Sequence, residues 1–219
     1  MKNTFPFRKT SGSILVLFAI FLFSSCKKNN PANLEVIPTA PATYSLLRID
    51  YYLEPGDKVY TTTHKLKSYE LRNTLNIQTQ HSYFEDFQEL NRKSLFSLKD
   101  VNGDLAKVMG LSKLTLETPT IVNISTLYTI YTQNEGWTMS TNLQEKPFNY
   151  LEPKNQVLRV PAKSSITVDR SIQEYSAIVT FRATIKNDKT GETHAVKGKW
   201  NGTLSFSNYD VTLSQKSLK

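Results

Sequence analysis

Few residues in this chain stand at the spacings that chemistry requires. The three histidines, His64, His81 and His194, are isolated from one another, and none has a His, Cys or carboxylate at a spacing that suggests one metal site. They read as surface or half-buried strand residues, and no metal site is expected. Serine and threonine are plentiful, but none sits in a Gly-x-Ser-x-Gly elbow. Glu85 and Asp86 are adjacent, so on a strand they face opposite ways and make a poor general acid–base pair. Asp100-Val-Asn102-Gly-Asp104 alternates oxygen ligands as a calcium loop does. Its sixth and twelfth positions, however, are Leu105 and Leu111, where that loop needs Gly and Glu. An Asn-Gly turn is the better reading. No catalytic residue, cofactor or metal is assigned, and the chain is not expected to be an enzyme.

The one cysteine, Cys26, stands in a more informative place. Lys2, Arg8 and Lys9 come first, then the apolar run Ile14-Leu-Val-Leu-Phe-Ala-Ile-Phe-Leu-Phe23, then Ser24-Ser25-Cys26. Charge, apolar core and small residues in that order make a secretory signal. The run is half of the roughly twenty residues that a membrane-spanning helix needs. The Ser-Ser-Cys ending resembles the lipobox of bacterial lipoproteins, with Phe23 where that motif usually has Leu. The resemblance implies that Cys26 is lipidated and becomes the mature N-terminus. Lys27-Lys28-Asn29-Asn30 follows it, a start that resembles many lipoproteins of the Bacteroidetes. Lysines stand where some of those lipoproteins carry an acidic surface-export tract. The expected location is therefore the cell envelope, anchored by lipid to the outer membrane and facing the periplasm.

The elements behind these residues divide the chain in three: 1–26 signal peptide, 27–43 flexible tether, 44–219 β-rich module. Pro31, Pro38 and Pro41 lie among small and polar neighbours in the tether, which could reach about 50 Å if extended. The net charge of +8 includes three positive residues in the signal, which leaves +5 on the mature chain. That excess is spread out, whereas nucleic-acid binding wants a concentrated basic face, so no nucleic acid is expected. With Cys26 lipidated, no cysteine remains for a disulfide, and packing alone must hold the core.

From Tyr44 onward the dominant pattern has period two. Tyr69, Leu71, Leu75, Ile77 and Tyr83 share one face, against Asn76, Gln78, Gln80 and Ser82. Ala177, Val179, Phe181, Ala183 and Ile185 share another, against Thr180, Arg182, Thr184 and Lys186, and Tyr209, Val211 and Leu213 repeat the arrangement. Such alternation predicts antiparallel strands with one wet face. Turns are expected at Glu54-Pro-Gly-Asp57, Val101-Asn-Gly-Asp104, Asn187-Asp-Lys-Thr-Gly191 and Asn201-Gly202. Phe84, Phe87, Leu90 and Leu95 predict a short helix between Tyr83 and Leu98, and Ser94–Leu105 a further helical turn. Tyr128, Tyr131 and Trp137 read as core aromatics, with an exposed row for sugar stacking or a lipid interface as the alternative.

Four later stretches carry a family resemblance: Gln156-Val-Leu-Arg-Val-Pro-Ala-Lys-Ser-Ser-Ile-Thr-Val168, Phe181-Arg-Ala-Thr-Ile185, Val196-Lys-Gly-Lys-Trp-Asn-Gly202 and Asn208-Tyr-Asp-Val-Thr-Leu213. Their order resembles the aerolysin and epsilon-toxin/mosquitocidal-toxin group of β-pore-forming proteins. In that group a Val-Pro-Pro/Ala-x-Ser/Thr element, here Val160, Pro161 and Ala162, opens a long strand, and a Gly-containing hairpin and a closing strand follow. Asn73-Thr74 is similar to an earlier strand of the family, and Pro119-Thr-Ile-Val122 with the threonine-rich run to Thr141 is similar to its middle strands.

The resemblance spans 66–214 and implies an all-β fold of elongated antiparallel sheets. It also implies a hairpin between about Ser94 and Glu135 that leaves the sheet to join a membrane barrel. Val122, Ile124, Tyr128 and Ile130 are the candidate insertion residues, while Lys113 and Glu117 fit a barrel strand only if they face its lumen. The implied function is a membrane-anchored, non-enzymatic lipoprotein that acts by binding or assembly, as a homo-oligomer if it forms pores. The alternative is a compact β-sandwich lipoprotein of the periplasm that binds a polysaccharide, another glycan or a partner protein.

Overall fold

The computed structural model describes residues 43–99, 114–148 and 154–219, all within one compact unit, Ala40–Lys219. Cys26, the signal, nearly all of the tether and the Asp100–Asp104 loop lie outside the described residues.

Ten strands follow in order: β1 Tyr44–Tyr52, β2 Lys58–Asn73, β3 Thr79–Glu85, β4 Asn91–Lys99, β5 Thr115–Asn123, β6 Thr129–Thr138, β7 Gln144–Pro147, β8 Lys154–Val160, β9 Ser164–Asn187 and β10 Thr193–Ser217. The fold is all-β, and every strand pairing is antiparallel. The axis is the β9–β10 hairpin. At 24 residues β9 runs about 80 Å, given about 3.3 Å per residue. Its turn is held by Asn187, whose side-chain oxygen accepts from the N–H groups of Lys189 and Thr190, and by Gly191 in the left-handed region. On the other side of β9, β1 and β2 lie end to end, pairing with 180–187 and 164–178. The Glu54–Asp57 turn joins them. β4 and then β7 extend the sheet from the middle of β10.

One feature of β9 organises the rest. Even-numbered residues are buried from Ile166 to Ser176, and odd-numbered ones from Ala177 to Ile185. The extra residues at the register shifts lie on its neighbours β1, β2 and β10, so β9 itself alternates without interruption. A change of buried parity then means that the covering layer changes face. Over Ala177–Ile185 the cover is the β5–β6 hairpin, closing a core of Phe96, Phe181, Val196 and Trp200. Over Ile166–Ile172 the cover is on the opposite face. There Leu71, Tyr83 and Val160 bring in the β3–β8 pair, and Phe87, Leu90 and Phe148 complete a neighbouring cluster.

Several expectations are corrected. The segment from Tyr83 to Leu98 forms β3, a tight turn closed by Leu90 N–H to Phe87 O, and β4, with no helix. Ser94–Lys99 pairs with β10, so the helical turn expected from Ser94 is a strand and that stretch belongs to the main sheet, not to a hairpin. Leu75 and Ile77 are 55% and 67% exposed, because β2 ends at Asn73 and the apolar face ends with it. Thr180 is buried rather than wet, and Leu213 is exposed. Asn201-Gly202 is mid-strand, paired to Ile178-Ala177 and to Leu95-Ser94. Glycine is needed there for close approach: a Cβ on Gly202 would lie 2.5 Å from Lys93 O, and one on Gly198 would lie 2.1 Å from Ser97 O.

Candidate insertion hairpin

The β5–β6 hairpin is built from one apolar row and one polar row. Leu116, Trp137 and, just beyond the ends, Leu114 and Met139 are buried, and Val122 and Ile130 are half-buried against the same core. Outward lie Thr115, Glu117, Thr132 and Asn134. Thr132 donates to the Glu117 carboxylate at 2.5 Å. Two register shifts interrupt the ladder, one between Leu116 and Glu117 and one between Pro119 and Ile121. The first bulges β6 at Gly136, whose φ is +69°.

Attachment to the sheet is concentrated at the open end. Phe96 N–H of β4 donates to Ser140 O at 2.9 Å, while Met139 N–H to Leu114 O, also 2.9 Å, closes the hairpin's own two strands. Lys146 Nζ donates to Glu135 O at 2.7 Å and sits over the Trp137 ring. Arg92 pairs with the Glu135 carboxylate. At the same level, the Tyr51 hydroxyl donates to Glu117 O at 2.8 Å. Burial, and then the charge of Glu117, push the Tyr51 phenol well above its ordinary range, so it stays a donor.

The tip is dressed differently. Asn123 Oδ1 accepts from the backbone N–H and the hydroxyl of Ser125. Leu127 and Tyr128 then take φ of 54° and 60°, a left-handed pair without glycine. Ile124, Leu127 and Tyr128 are 58%, 93% and 61% exposed. Ile124 and Tyr128 line a cavity of about 410 Å³ against Leu53, Pro55 and Val59 of the β1–β2 turn.

That turn is an ionic knot absent from any sequence pattern. Asp57 accepts from Glu54 N–H, Thr180 N–H and the Thr180 hydroxyl, and Lys199 Nζ lies 2.5 Å from it. Lys197 Nζ donates to Glu54 at 2.7 Å. The Lys197 hydrogen bond holds the Glu54 carboxyl below its usual range. For Asp57 burial pulls upward, but Lys199, the Glu54 amide and Thr180 outweigh it and the net shift is down.

The predicted residues fall into three places. Val122 and Ile130 face one another across the hairpin, and Ile124 and Tyr128 form its tip. Val160 ends β8, and Pro161 and Ala162 lead through the turn into β9, far along β9 from the residues under the hairpin. There they meet Asn73, whose side-chain amide donates to Val160 O and Pro161 O at 3.0 Å each. The two motifs that are 87 residues apart in sequence thus close one junction. Of the aromatics, Trp137 is core, while Tyr128 and Tyr131 are exposed. His64 bonds the buried Glu174, which also accepts from Ser176 and Thr203. Glu85 accepts from Gln156 and Tyr209. Both carboxylates serve structural networks, and no group of three or more His, Cys, Asp or Glu could hold a metal among the described residues.

An all-β antiparallel module with a two-stranded hairpin laid on a long sheet has counterparts among solved structures. Lamprey immune protein superposes with a TM-score of 0.50 at 13% identity, over 80% of this chain and 53% of that one. The chain thus spans about half the length of that protein. Parasporin-2, a Bacillus thuringiensis toxin that recognizes cancer cells, gives 0.42 at 13% identity over 79% of this chain and 74% of its own. An aerolysin-like protein of Bombina maxima gives 0.37 at 10% identity over 80% and 99%. The likeness at these identities is one of fold. No protein-family model and no curated protein sequence matches the chain.

Proposed function

We propose that this chain is a non-enzymatic lipoprotein, anchored in the cell envelope through Cys26, whose β5–β6 hairpin leaves the sheet and joins a membrane β-barrel built from several copies. The observation that carries the reading is the uneven attachment of the hairpin. Its base is held by a backbone bond, an ion pair and the Tyr51 hydroxyl, its middle packs Val122 and Ile130 on the core, and its tip presents Ile124, Leu127 and Tyr128 to solvent. Exposed large apolar groups gathered on one loop mark an interaction site. A barrel strand needs about ten residues, and β5 and β6 supply nine and ten, with Val122 and Ile130 paired across them and Ile124 and Tyr128 in the turn that would lead insertion. Glu117 fits if it faces the lumen. Cleavage after Ser25, and a tether over 27–43, complete the reading.

Dye release from liposomes tests it. The protein should release dye and form ring-shaped oligomers. Leu127→Asp, at a fully solvated position, should keep the thermal midpoint and lose most of the release. If no condition gives release or rings, the module is a static binding or structural domain.

A further inference from the structure

Where β4 departs from β10, the sheet opens. β10 carries an extra residue between Thr203 and Ser205, and the last β4 residue in register with it is Ser94, opposite Gly202. The gap left beside Leu204–Phe206 is roofed by the hairpin and forms a cavity of about 290 Å³. Ile121, Phe148, Leu204 and Phe206 supply apolar walls, and Arg92, Glu135, Gln133 and Thr120 supply polar ones. Half of the lining therefore belongs to the hairpin and half to the structure beneath it.

We propose that this cavity binds a small, uncharged, single-chain amphiphile: an alkyl chain of about eight carbons ending in a hydroxyl. The size follows from the volume, which equals about ten water-sized shares of about 30 Å³ each, hence about ten non-hydrogen atoms. The apolar body follows from the two phenyl rings, Phe148 and Phe206, packed 4.6 Å apart between centroids. The polar end follows from Arg92. One of its terminal nitrogens pairs with Glu135 and the other makes only a long 3.4 Å bond to Leu204 O, so donor capacity is left on the cavity wall beside the Thr120 and Gln133 side chains. A guanidinium already neutralised by a carboxylate favours an uncharged acceptor over an anion, which Glu135 repels. A mostly apolar cleft with few convergent polar groups is the usual form of a small-molecule site.

Bound there, the amphiphile bridges hairpin and sheet and holds the hairpin down. That consequence rests on the detachment reading above; the binding itself does not.

The test is a titration of 1-octanol into the full chain without membranes, read by saturation-transfer NMR and by the thermal midpoint. Saturable binding and a rise in midpoint are expected. Ser205→Trp, which fills the cavity, should weaken binding by about tenfold or more while leaving the unliganded midpoint in place. If that variant does not fold, Thr120→Trp on the hairpin wall makes the same comparison. Octanoate should bind about tenfold more weakly than octanol. Non-saturable uptake, or binding that a folded filled variant leaves unchanged, overturns the site. Octanoate binding as tightly as octanol overturns the headgroup assignment. Neither readout depends on dye release, so failure of pore formation leaves this result standing.

Discussion

Four backbone groups converge on the buried side chain of Asn73. Its amide nitrogen donates to Ile77 O, Val160 O and Pro161 O, and its oxygen accepts from Leu75 N–H. An alanine there would leave these groups inside the protein without partners, at about 1–3 kcal/mol for each that cannot reach water. Asn73→Ala should therefore cost about 3 kcal/mol and lower the thermal midpoint by about 6–12 °C in a domain of this size. Asn73→Asp should cost more at neutral pH, because a carboxylate then faces three carbonyl oxygens, and should recover part of the loss in acid; calorimetry of the pair across pH checks both. The carboxylates of Glu54, Asp57 and Glu174 titrate the other way. Burial raises Asp57 and Glu174, the donors around all three lower them further, and the folded values end below the ordinary ones. A depressed carboxylate contributes stability that is present above the unfolded value of about 4 and is lost as pH falls through the folded value. Stability should therefore hold down to about pH 4 and fall below it. Replacing Glu54 and Asp57 by Gln and Asn should flatten that acid limb in urea titrations; an unchanged slope would remove the turn from the account.

At the scale of elements, the alternation of β9 and the turn at Asn187–Gly191 were legible because both are local: period two and a left-handed glycine need no knowledge of neighbours. The change of covered face at Ser176–Ala177 was not legible, since every residue from Ile172 to Ile185 alternates acceptably on either side. Asn201-Gly202 misled for a related reason. The dipeptide carries a turn signal, but here glycine makes room for the Lys93 carbonyl, which lies more than a hundred positions away. Val122, Ile124, Tyr128 and Ile130 could be picked out because their apolar types stand at even spacing, whereas the Tyr51 bond to Glu117, the Glu54 pair with Lys197 and the Asp57 pair with Lys199 could not, because they join residues 66 to 143 positions apart. Tyr51 matters most for the hairpin. Tyr51→Phe keeps the ring against Phe181 and Trp200 and removes only the bond to Glu117 O, worth about 1 kcal/mol. Amide exchange in β5 and β6 should accelerate by about fivefold while β9 exchange is unchanged. Equal acceleration in both would mean that the hairpin opens only with the whole sheet.

For the whole molecule, a lipid on Cys26 would change how assembly depends on concentration. Copies held to one surface by a short tether meet at effective concentrations set by tether length, in the millimolar range for flexible linkers. Residues 27–43 contain three prolines and no long apolar side chain beyond Leu34, Val36 and Ile37, so they suit reach rather than packing. A single exposed tip of three apolar residues offers little membrane affinity alone, whereas acyl chains add about 0.8 kcal/mol per buried CH₂. If anchoring supplies the encounter and the hairpin supplies the barrel, the two should separate in one experiment. Cys26→Ala, secreted by a signal that leaves no lipid, should fold with the same midpoint. It should require a bulk concentration about a hundredfold higher for the same dye release. Adding a chelating lipid and a histidine tag in place of residues 1–26 should restore release at low concentration without restoring Cys26. If untethered and tethered proteins release dye at the same bulk concentration, membrane capture lies in the module itself, and the exposed tip of β5–β6 becomes the first place to mutate.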